Sequence, residues 1–258
     1  LAEKNAQVLG IKNIEFIQGD ALSETVLKQL QEVEIVFCDP ERLSEESKRS
    51  VGTIKPSIPE LLKKYGSITE NMVIEFPPQI TDIPFDCEIE YVSVDGALNR
   101  LNLYFGKLGK CERSAVILPG KEKLSSDEEA ALEETEELGE YLYEADPAVV
   151  KASLLNELSQ NTKTRLYSSG KAVFFTSDKK VKSSFFKNSF KVIEVCKQEE
   201  HEIIAALHKH DAGKVILRIS VDPKEYWNVR KNIESKLKGT KTYALIHIAD
   251  AAVIVERV

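Results

Sequence analysis

Two acidic turns near the start of the chain carry residue types suited to holding a ligand. The apolar run Ile14-Glu15-Phe16-Ile17 ends in Gln18-Gly19-Asp20-Ala21, and Glu34-Ile35-Val36-Phe37 ends in Cys38-Asp39-Pro40. A carboxylate at a strand's carboxyl end is well placed, because open α/β sheets bind ligands outside those ends. Pro40 stiffens its turn. Arg42 is a candidate for gripping a phosphate or carboxylate, and a surface ion pair with Glu41 is the alternative. For Asp20 the alternative is a turn carboxylate that bonds its own backbone. A second candidate constellation is basic. Lys179, Lys180, Lys182 and Lys187 alternate with Phe185, Phe186 and Phe190, a texture suited to RNA, unless the rings are core and the lysines solvated. Arg218, Arg230 and Lys231 form a further set able to track phosphates.

The elements that must position these residues alternate. Leu1 to Gly10 reads as an amphipathic helix closed by glycine. Residues 14–21 and 34–38 read as strands, the second of them buried, with a helix from Glu24 to Leu30 between them. A short helix over Pro56–Tyr65 follows, stopped at Gly66. Further strands are expected at Asn71–Phe76, Cys87–Val94, Arg100–Phe105 and Ser114–Leu118. The Ser125–Gly139 stretch reads as an acidic linker helix or a mobile connection, since acids suit a helix N-terminus. Beyond it, Asp146-Pro147 opens a helix as N-cap and first residue. Residues 190–258 read β-α-β-α-β-β.

The first forty residues resemble the class I S-adenosylmethionine (SAM)-dependent methyltransferases. The resemblance implies that Asp20 accepts from the adenine amine of SAM while the backbone at Ala21 meets the ring. It also implies that Asp39-Pro40 stands where that family often has an Asp/Asn-Pro-Pro-aromatic turn, with Asp39, Pro40 and Arg42 on the catalytic side. Glu41 and Arg42 replace the second proline and the aromatic, a departure from the amino-methylating motif. The chain contains no G-x-G-x-G. The resemblance places that loop and a ribose-binding acid ahead of Leu1, so the chain is expected to be N-terminally truncated and to bind SAM poorly.

Further on, Glu140-Tyr141-Leu142-Tyr143-Glu144-Ala145-Asp146-Pro147, Thr176-Ser177-Asp178 and Phe190–Val195 look like the C-terminal region of methyltransferases with ferredoxin-like and THUMP-like domains. The implied fold class is α/β: a partial Rossmann-like methyltransferase sheet, then small α+β ferredoxin-like and THUMP-like parts. The expected boundaries are 1–120 catalytic, 121–139 acidic linker or helix, 140–189 ferredoxin-like and 190–258 THUMP-like. The implied activity is SAM-dependent methylation of tRNA or rRNA. The competing readings are a non-catalytic RNA-binding module and a methyltransferase acting on a protein or small molecule.

Composition sets looser bounds. A length of 258 residues suggests about two domains. The net charge of −7 hides an uneven distribution. Eleven acids lie between Glu122 and Asp146 against Lys123, and eight bases lie between Asn161 and Lys191 against Asp178. Such asymmetry points to a polyanionic partner for one part. The four scattered cysteines form no C-x-x-C, so no metal is expected. His208 and His210 are assigned capping and surface roles. No apolar run is long enough to span a membrane, and a cytoplasmic location is expected.

Overall fold

The computed structural model describes residues 1–30, 33–41, 50–169 and 172–258. The chain forms two compact units of mixed α/β structure: Leu1–Glu88 with Leu101–Lys110, and Ile89–Arg100 with Cys111–Val258.

The first unit opens with α1 (Ala2–Val8), α2 (Glu24–Leu27) and β1 (Val36–Cys38), followed by α3 (Ile58–Tyr65) and β2 (Met72–Phe76). Ser23 caps α2 by accepting the Val26 N–H. Pro59 near the start of α3 costs no hydrogen bond, because the first turn has free N–H groups anyway. Ile58, Leu61 and Tyr65 share the buried face of α3. β1 runs parallel to β2 with Phe37 opposite Val73. The β2 side chains alternate between buried and half-buried, so Met72, Ile74 and Phe76 face the core. Fully burying residues of this size contributes about 1.5–3 kcal/mol each.

The chain then enters β3 (Glu88–Val94), which turns through Asp95 and Gly96 into β4 (Ala97–Tyr104). Both turn residues have positive φ, 51° and 72°, as a tight hairpin requires. The far end of β4, Leu101–Tyr104, lies antiparallel to β2 within the first unit.

The second unit adds β5 (Arg113–Leu118) and β6 (Glu122–Ser125), with β5 parallel to β3 and antiparallel to β6. It continues through β7 (Tyr141–Ala145), α4 (Pro147–Lys151), α5 (Leu155–Thr162), β8 (Arg165–Ser169) and β9 (Val173–Ser177). The last elements are β10 (Phe186–Lys197), α6 (Glu200–Lys209), β11 (Ala212–Arg218), α7 (Tyr226–Glu234), β12 (Lys241–Ile248) and β13 (Ala251–Arg257). Seven of these strands share one sheet in the order β11-β12-β13-β10-β7-β9-β8. β11 and β12 are parallel, and the other neighbouring pairs are antiparallel.

β10 is the spine of this sheet. It pairs with β7 along its first half and with β13 along its second, so strands from both sides of residue 190 belong to a single sheet. Register shifts within β8, β10 and β11 mark bulges, which bend strands and increase twist. The two faces bury different sets. Val215, Leu217, Leu245 and Ile254 pack with Ile203, Leu207 and Ile233 of α6 and α7. Leu142, Phe174, Phe190, Ile246 and Val253 form a second cluster.

Three local expectations give way to the tertiary structure. Residues 14–18 form no strand, because a strand needs a ladder partner and their backbone finds none among the described residues. Of the 34–38 segment only Val36–Cys38 forms a strand, and not a buried one: β1 pairs only with β2 among the described strands, and Phe37 and the preceding Ile35 are 63% and 53% exposed. No helix forms between Ser126 and Gly139. A helix there would stack like charges four residues apart, at Glu129 with Glu133 and at Glu133 with Glu137. The backbone pairs elsewhere instead. Leu166 exchanges bonds with Glu133 and Thr135, and α5 offers Asn156 to Ala130, Glu157 to Asp127 and Ser159 to Glu133.

Candidate functional site

The two acidic turns lie within the first unit, and the first is tied to α3 by a residue that the sequence did not single out. Tyr65, at the end of α3, donates its hydroxyl to the Ala21 carbonyl at 2.9 Å. Burial pushes its phenol above the usual tyrosine range, and the neighbouring Cys38 and Asp20 push it further. Tyr65 therefore ties the Asp20 turn to the end of α3. Lys64 adds a second tie, from its ammonium to the Leu22 carbonyl at 2.6 Å. Phenols and ammonium groups bonding backbone carbonyls more than forty residues away leave no local sequence signal. The only hint was that α3 places Lys64 and Tyr65 in its last turn.

Asp20 and Asp39 are both exposed, and Pro40 is buried. Asp20 Oδ1 accepts the Leu22 N–H at 2.9 Å, so the carboxylate does brace its own turn. The Ala21 N–H next to it has no partner among the described residues. This leaves an exposed acceptor beside an exposed donor. The Cys38 thiol is pushed up by burial and then by Asp39, which makes it a poor nucleophile. Arg42 lies outside the described residues.

The basic residues of the second unit divide by what they already hold. Lys179, Lys180, Lys182, Lys187 and Lys231 are exposed. Phe185, Phe186 and Phe190 are only 5%, 6% and 1% exposed, so these rings are core and offer no face to a base. Arg218 pairs with Glu144 at 2.9 Å, and Arg230 pairs with Glu234 at 2.9 Å. Arg230 also lies over the ring of Trp227, at 5.5 Å from its centroid. Trp227 itself is 61% exposed. His208 is an exposed residue in the last turn of α6, and His210 follows as its C-cap, with its ring against Glu194.

Among the described residues, Glu199, His201 and Glu202 bring potential metal donors within 4.8 Å of one another on an open surface, and no helix is long and apolar enough to cross a membrane.

No protein-family model and no curated protein matches the chain. Among solved structures, a Porphyromonas gingivalis W83 protein provisionally named a methyltransferase matches 87% of this chain with a TM-score of 0.64 and 15% identity. The chain spans 59% of that protein's length. At this identity the likeness is one of fold, and the fold is mixed α/β.

Proposed function

We propose that the chain serves SAM-dependent methyl transfer, with RNA as the substrate. The observation that carries this reading is the pairing at the Asp20 turn. An exposed carboxylate stands beside the free Ala21 N–H, and Tyr65 ties that turn to the end of α3. The donor set fits the adenine end of SAM, since the carboxylate accepts from the exocyclic amine and the N–H donates to a ring nitrogen. The fold likeness to a protein named a methyltransferase supports the same reading.

SAM supplies an electrophilic sulfonium methyl. The chain's part is positioning, which is the main lever for such a displacement. Asp39 orients the amine that receives the methyl group, and Pro40, buried behind it, limits its movement. Tyr65 steadies the cofactor turn through its bond to the Ala21 carbonyl. The exposed lysines of the second unit attract the RNA backbone.

Calorimetry with SAM tests the cofactor claim. Saturable millimolar binding is expected, weakened about tenfold in Asp20→Ala through loss of a charge-assisted bond. Weak binding is expected because the chain contains no G-x-G-x-G. Absence of any SAM heat at millimolar concentration sinks the reading. For RNA, affinity for bulk tRNA should fall steeply with added salt, and a flat response contradicts phosphate contacts.

A further inference from the structure

The carboxyl ends of the parallel strands β11 and β12 open onto a cavity of about 520 Å³ in the second unit. Its apolar wall includes Phe174, Ile246 and Ile248, which border the cavity. Its polar wall is built by a cross-sheet pair. Arg218 leaves the end of edge strand β11 and meets Glu144 on β7, four positions along the sheet, so the sheet curls until these strands face each other. Glu144 Oε2 takes both Arg218 Nη1 at 2.9 Å and Asn188 Nδ2 at 2.6 Å. Its Oε1 has no partner among the described residues. His247, also in the wall, has a buried Nε2 without a hydrogen-bond partner.

A second cavity of about 370 Å³ shares Glu144 and Ala172 with the first, so the two adjoin. Its lining includes Lys151 and Lys187. Neither lysine forms an ion pair among the described residues, although Lys187 bears on the buried Asp146. The combined groove therefore has an apolar wall in the first cavity, a free carboxylate oxygen on the residue shared by both, and two lysines without ion pairs lining the second. These volumes fall within the usual range for small-molecule sites.

We propose that this groove binds a nucleotide, with an amino-bearing base against Phe174, Ile246 and Ile248 and its phosphate on Lys151 and Lys187. A nucleoside monophosphate carries groups that suit this lining: an apolar ring, an amine and a phosphate. Glu144 Oε1 accepts from the exocyclic amine, and Arg218, whose charge is balanced by Glu144, donates to a ring acceptor. A purely apolar ligand would leave Glu144 Oε1 and the two lysines unused. A simple anion would leave the apolar end unfilled. The inference does not depend on methyl transfer in the first unit. The same chemistry comes from a free nucleotide or from one unit of an RNA strand.

The test is calorimetric titration of the full chain with GMP, IMP, guanosine and a short single-stranded RNA. GMP should bind about tenfold more tightly than guanosine, which lacks the phosphate, and more tightly than IMP, which lacks the amine. The double variant Lys151→Glu with Lys187→Glu changes only exposed or half-exposed charges and should erase the advantage over guanosine. If RNA displaces GMP, the groove reads one unit of a strand; if GMP binds and RNA does not, it holds a free nucleotide. Either result supports the assignment. Equal binding of GMP and guanosine, or none, overturns it. Should the double variant unfold, the unaltered chain still decides, because the GMP advantage must shrink as salt rises. GMP binding in a chain that ignores SAM would refute the methyltransferase reading and leave this one standing.

Discussion

Replacing Tyr65 with Phe isolates the bond that joins the Asp20 turn to α3. The ring is 8% exposed and its packing survives the change, so only the hydroxyl is lost. The hydroxyl donates to the Ala21 carbonyl at 2.9 Å. Removing one partner costs most when the other is left buried and dry, up to about 3 kcal/mol. Ala21 is exposed, so water takes over its carbonyl, and the expected cost is about 1 kcal/mol. That corresponds to roughly fivefold more frequent local opening, at about 1.4 kcal/mol per factor of ten. Hydrogen exchange reads this directly. The Leu22 and Ser23 amides bond to Asp20 Oδ1 and the Asp20 carbonyl, so they should exchange roughly fivefold faster in Tyr65→Phe. Amides of β12 and β13, in the other unit, should be unchanged. Unaltered exchange at Leu22 and Ser23 would mean that Tyr65 does not hold the turn, and the argument that α3 positions the Asp20 turn would fail.

Two further outcomes follow from the second unit. Asp146 caps α4 through the Ala148 N–H at 2.8 Å, so Asp146→Ala should cost about 1 kcal/mol in urea denaturation. Burial raises its carboxyl pKa, opposed by the Ala148 N–H and by Lys187. A raised folded value means that its stabilising contribution is fully present below the unfolded value, near 3.8, and is lost as pH rises through the folded one. Asp146→Asn, which keeps a capping oxygen, should therefore gain on the wild type as pH rises through that window, and a pH-independent difference would contradict the shift. Gly213 leaves no room for a side chain, since a Cβ there would come within 2.0 Å of the Gly239 carbonyl oxygen. Gly213→Ala should cost about 3 kcal/mol in the same assay, and a cost near zero would show that the two backbones part easily.

Much of the chain was legible locally. The alternation in β10 and the succession α6, β11, α7, β12, β13 were expected from periodicity, and Asp146-Pro147 announced α4 through cap chemistry. The strands expected at Cys87–Val94 and Arg100–Phe105 meet in a hairpin at Asp95-Gly96, where positive φ at both positions is a demand that few residue types meet. The acidic segment misled for the opposite reason. Acids at a helix start are favourable, but here the like charges continue for several turns, and α5 and β8 offered the backbone other partners.

The sequence by itself determined the elements set by short-range rules: side-chain period, caps and turn residues. It also marked Asp20, Asp39 and the exposed lysines as chemistry-bearing. Tertiary structure alone decided which of these groups meet. Tyr65 reaches a carbonyl in a turn 44 positions away. Arg218 reaches a carboxylate 74 positions away across the sheet, and Phe186 and Phe190 turn inward because the first half of β10 buries alternate residues. These are matters of strand order, curvature and burial. Each depends on interactions between segments far apart in the chain, which no local pattern records.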